Sequence, residues 1–148
     1  MVSSLLAGGF HEHHGDHFDV PSIKICPVPS EPVPIVVGGH SEAALRRASR
    51  LDGWIHGGGD GDELLDMIER LRRLRDDEGR SGEPFAIQVI SPDAFTVDGI
   101  RRFEELGVTD VIVGFRWPYT VGPDGQPLQE KIDHLRRYAD DVISACRG

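Results

Sequence analysis

The chain has 148 residues, 39% of them hydrophobic, enough for one domain with a real core. Its net charge of −9 and pI near 5.1 argue against nucleic acid or an anionic membrane as main partner. No apolar run approaches the ~20 residues of a membrane span, the N-terminus lacks a basic signal-peptide region, and Cys26 and Cys146 have no C-x-x-C spacing, which together imply a cytoplasmic protein with reduced thiols.

Residues 1–32 are the least regular part. Leu5 and Leu6 read as the end of a helix, stopped by Gly8 and Gly9. A decapitated helix of this kind would suit a shortened gene product. His11, His13, His14, Asp16 and His17 have the right side chains for Zn or Ni, but no structural-site spacing and no nearby cysteine. The expectation is a solvated loop and no metal. Four prolines follow, at 21, 27, 29 and 32, so residues 1–32 read as an ordered, irregular connection with a short β-ribbon over 17–25.

From residue 33 the chain alternates strand and helix. Residues 34–37 form an apolar run that suits a strand buried on both faces. Gly38 and Gly39 break it, Ser41 is an N-cap, and a helix over 41–51 follows. Strand, glycine turn and helix start aim backbone N–H groups and a positive helix end at one spot, where a phosphate fits. The same pattern also serves as a tight βα turn with no ligand.

The second strand spans 54–56, and a G-G-G-D-G loop follows with neither Walker A nor EF-hand spacing. Asp62 is read as the cap of the next helix. Leu64, Met67, Ile68, Leu71 and Leu74 form its buried stripe. Arg70, Arg72, Arg73, Arg75, Asp76 and Asp77 form its solvated face, and Gly79 stops it. The third strand is 85–90, apolar on both faces except Gln88, which is expected to bond another protein group inside the fold. A helix over 97–106, a fourth strand over 110–115 and a last helix over 127–146 complete the chain. Leu128, Ile132, Leu135, Ala139 and Val142 are the last helix's expected buried stripe.

The pattern is βα four times over, an α/β fold with a parallel sheet. Ligands on such sheets bind at the carboxyl ends of the strands. That places Gly38, Gly39, His40, Ser41, His56 and Arg116 in the candidate site. Arg116 serves either an anionic ligand or an acid such as Asp93. A proton donor role for His40 competes with that of a simple loop histidine.

The segment P-V-P-I-V-V-G-G-H-S-E-A-A-L-R-R-A, followed by D-G-W-I, resembles the luciferase-like monooxygenase family. So do H-H-G-D-H-F-D-V-P upstream and E-E-L-G-V-T-D-V-I-V-G-F downstream. The resemblance implies a (β/α)8 barrel that uses reduced FMN or the deazaflavin F420 on a small-molecule substrate. It also implies that Gly38, Gly39, His40 and Ser41 hold the cofactor phosphate, with His56 and Arg116 as further ligand candidates. Catalytic residues stay unassigned. The family's extra glycine before D-G-W is missing, since Leu51 runs directly into Asp52.

A complete barrel takes eight strands and roughly 250 residues. Here residues 33–148 supply four strands, aligned with the last half of the barrel, so the expected fold is a partial TIM barrel. Two open edges and an uncovered face imply a homo-oligomer or a complementary half-barrel. Two functions follow: a flavin- or F420-dependent oxidoreductase, or a non-catalytic half-barrel remnant or assembly module.

Overall fold

The computed structural model describes residues 1–58, 61–114 and 123–146. Two compact units divide between Ile35 and Val36.

In the first unit a short helix, α1 (Val2–Leu6), precedes a hairpin of β1 (His11–His14) and β2 (Asp19–Ile23). His13 lies opposite Val20 and His14 opposite Asp19, with the register shifting between His11 and His13. The histidine-rich stretch is therefore strand and not loop, its backbone pairing with that of D-V-P-S-I. It stays largely exposed. His11 Nε2 donates to the Gly8 carbonyl at 2.9 Å, and His14 pairs with the Asp19 carboxylate. Among the described residues no three His, Cys, Asp or Glu side chains converge as a metal site.

The second unit carries a parallel four-stranded sheet in the order β3 (Val36–Gly38), β4 (Gly53–His56), β5 (Ala86–Ile90), β6 (Asp110–Ile112). Helices α2 (Glu42–Ala48), α3 (Gly61–Asp77) and α4 (Val97–Glu105) connect successive strands. This is the expected (β/α)4 portion of a TIM barrel. Ser41 caps α2, its Oγ accepting from Ala44 N, and Thr96 caps α4 through Gly99 N. Asp62 does not cap α3. The helix already begins at Gly61, so Asp62 lies in its first turn, where its charge opposes the positive helix end.

Register puts Val37, Trp54 and Ile87 in one row and His56, Val89 and Val111 in a second, on the same face. Against that face pack Leu45 and Ala48 of α2, Leu64, Met67, Ile68, Leu71 and Leu74 of α3, and Phe103 of α4. Fully burying side chains of this size stabilises by about 1.5–3 kcal/mol each. Gly53 lets β4 run close to β5, since a Cβ there would come within 2.7 Å of the Ala86 carbonyl oxygen.

The strands are not buried on both faces. On β5, Ile87 and Val89 are buried while Ala86, Gln88 and Ile90 are half-buried. Ile55 is half-buried and Ile112 is exposed on that second face. Gln88 thus finds no partner inside the fold; its side chain reaches the less covered face and has no hydrogen bond among the described residues.

The stripe of the last helix is also only partly buried. Helix α5 (Leu128–Tyr138) continues through a π-helical turn (Ala139–Ile143) into α6 (Ser144–Cys146). Val142 is buried, but Leu128 and Leu135 are 73% and 55% exposed. Docking occurs at the carboxyl end, where Tyr138 donates its hydroxyl to the Ala94 carbonyl at 3.0 Å and packs edge-on to Phe95. Among the described residues, no helix is long and apolar enough to cross a membrane.

Candidate functional site

The candidate site lies where β3 and β4 end and α2 begins. Gly38, Gly39, His40 and Ser41 are all exposed. Gly39 has φ of +116°, a conformation that favours glycine, and its missing Cβ makes room for Ala44, which it would otherwise meet at 2.9 Å. The glycine therefore has a reason within the turn itself. Trp54, fully buried on β4, donates its indole N–H to the Gly39 carbonyl at 2.9 Å and fixes the turn from beneath.

His56 follows two residues after Trp54, so the period-2 strand puts both rings on the same, helix-covered face. Its residue exposure is 2%, and neither ring nitrogen has a hydrogen-bond partner among the described residues. The His40 ring lies flat on it, centroids 4.5 Å apart and planes 5° from parallel. Trp54 meets His56 edge-on at 5.5 Å. Glu63, from the first turn of α3, stands 4.0 Å from His40 Nδ1. Burial, and then the neighbouring His40, hold the His56 imidazole below its ordinary pKa, with Glu63 opposing. His56 is therefore a neutral ring, with one N–H to give and one lone pair to receive.

The structure thus brings together His40 and His56 of the sequence candidates, with Gly38, Gly39 and Ser41 in the turn that carries His40. Arg116 lies outside the described residues. Asp93, its alternative partner in sequence, is already paired with Arg102. Sequence reasoning missed Trp54 as the anchor of the turn and Glu63 as the neighbour of His40. The W-x-H spacing was the available signal for the first; nothing local pointed to the second. A separate cleft of about 370 Å³ lies beyond the ends of β5 and β6, lined by Phe95, Gly114, His134, Arg137, Tyr138, Asp141 and Val142. It does not include the 38–41 turn.

Comparison with known proteins agrees with the fold. The profile of the family described as luciferase-like monooxygenase matches residues 1–98. Uncharacterized proteins of Mycobacterium tuberculosis and Mycobacterium bovis are each 56% identical over 144 residues. Those alignments take in 97% of this chain and 50% of each relative, so the chain spans about half their length. The match falls on the histidine-rich hairpin, the glycine turn and the first βα units alike, and the chain belongs to the luciferase-like monooxygenase family.

Proposed function

We propose that the chain forms the phosphate-anchoring half of an oxidoreductase that uses FMN or F420. The supporting observation is the exposed 38–41 turn at the carboxyl end of β3, capped by Ser41 and braced by Trp54. Its residues suit a phosphate. The turn is open to solvent, the serine hydroxyl belongs to the turn, and the helix start favours negative charge. A bound flavin or deazaflavin would supply hydride chemistry, which no side chain here can supply. The chain's own contribution is to bind and orient: the turn fixes the phosphate end, and the strand ends set the direction in which the rest of the cofactor lies. A small-molecule substrate would be the second ligand. Two free cysteines fit a reducing cytoplasm.

A non-catalytic half-barrel is the second reading. It draws on the uncovered sheet face carrying Ile55, Gln88, Ile90 and Ile112. The two readings separate by titration with FMN, F420 and riboflavin, followed by fluorescence. The enzyme reading expects micromolar binding of FMN or F420, with riboflavin, which lacks the phosphate, at least about tenfold weaker. No binding of either cofactor favours the scaffold. Ser41→Asp isolates the phosphate. Aspartate is as good an N-cap as serine, so the fold should hold, while its charge should lower FMN affinity at least about tenfold.

A further inference from the structure

We propose that His56 is a ligand-binding residue of this site, covered by His40, and that a phosphoester seated on the 38–41 turn displaces the His40 ring and hydrogen-bonds to His56. The proposal rests on the phosphate reading of the turn and adds a second point of recognition to it.

The argument starts from His56 itself. A buried imidazole with neither nitrogen partnered is costly, and buried polar groups are overwhelmingly hydrogen-bonded. A phenyl ring would supply the same ring-against-ring packing with His40 and Trp54. A group that burdens the ligand-free state and sits beside an exposed anion-suited turn is explained if another state uses it.

The cover is lightly held. His40 belongs to the turn and follows Gly39 directly. Its side chain is 34% exposed, and its polar neighbour is Glu63 at 4.0 Å, beyond hydrogen-bond length. Among the described residues, the charged and titratable groups facing His56 are His40 from the turn and Glu63 from α3; Trp54, on its own strand, is neutral. A negative phosphate placed over the turn would be repelled by Glu63 and would accept a hydrogen bond from a His40 ring N–H, so His40 has reason to leave Glu63 and follow the ligand. That uncovers His56. As a neutral imidazole it has one donor and one acceptor, which suits a phosphate oxygen or a hydroxyl beside the phosphate.

The experiment uses the full chain with FMN as probe, and three readouts. The variant His56→Phe keeps ring packing and removes both nitrogens. Its melting temperature should equal or exceed that of the wild type, while its FMN affinity falls at least about tenfold. In ligand-free protein, His40→Ala should shift the His56 ring-nitrogen signals, because the stacked ring that covers them is gone. In the wild type labelled with 15N-histidine, the His56 ring nitrogens, assigned by their loss in His56→Phe, should shift when FMN binds. A lowered melting temperature in His56→Phe with unchanged FMN affinity would make His56 a packing residue and overturn the proposal. Unmoved His56 nitrogens in FMN-bound protein would overturn it too. If the wild type binds neither FMN nor F420, the phosphate reading itself fails, and this proposal with it.

Discussion

Arg75 behaves unlike the other charges on its helix. Sequence pattern assigns it to the solvated face of α3, yet it is 5% exposed. Its guanidinium lies 4.2 Å from the centre of the Phe85 ring and donates to the carbonyls of Ser49, Arg80 and Glu83 at 3.3, 2.8 and 2.9 Å. Those carbonyls belong to the connections that lead into β4 and β5. A planar fork can serve three such acceptors at once, and a lysine cannot. Arg75→Lys should therefore lower stability by about 1–3 kcal/mol in urea unfolding, with the helix content of the native state unchanged. His56 gives a second prediction at this scale. Its folded pKa lies below that of the free side chain, so the unfolded chain binds more protons as the medium acidifies. Stability should be fully present above the ordinary histidine value of about 6.5 and fall as pH drops through the folded value. Urea unfolding at pH 7.5 and 5.5 should show a larger acid loss for the wild type than for His56→Phe. Neither residue's burial was legible from sequence. Helical spacing places Arg75 next to a core position, and only tertiary carbonyls decide whether it turns inward.

At the scale of elements, strands and helix stripes were legible wherever the pattern was strong. The stripe of α3 reads directly as core, and the cap Ser41 sits where the chain enters α2; the cap Thr96 of α4 went unread. The last helix shows the limit. Its apolar spacing is as regular as that of α3, but spacing reports which face would be buried and not whether anything covers it. Leu135→Glu should cost less than about 0.5 kcal/mol, because Leu135 is exposed, while Val142→Ala at the docked end should cost about 1–3 kcal/mol. Equal costs in thermal unfolding would mean that the amino-terminal turns of α5 are packed in solution. Gln88 teaches the same lesson for a strand. An apolar run suggests two covered faces, and the alternation in burial along β5 appears only once the helices are placed on one of them. The glycine turn was legible as a turn. Its anchoring by Trp54 depends on register between β3 and β4, which local sequence does not carry.

Across the whole molecule, the four-stranded sheet has helices on the Trp54 face and little over Ile55, Ile90 and Ile112. The relatives are about twice as long as this chain, and eight strands close a barrel of this type where four do not. We expect the open face to be covered in solution by a second copy of the chain. Light scattering should then report twice the 16.3 kDa of one chain, and Ile112→Lys should shift the population to the monomer. A monodisperse wild-type monomer would rule the pairing out.

The two ends of the sheet are fastened differently. Where the strands begin, Arg72 donates to the Leu106 carbonyl at 2.7 Å, Arg80 holds the Arg50 carbonyl, and Arg75 ties its three acceptors, so the connections entering β4, β5 and β6 are laced by arginines. Where the strands finish, the turn hangs from one indole bond and a pair of stacked imidazoles. Selection can therefore rewrite the turns at the carboxyl end of this sheet without undoing its seam, and descendants of this chain should diverge at those turns sooner than in their arginines.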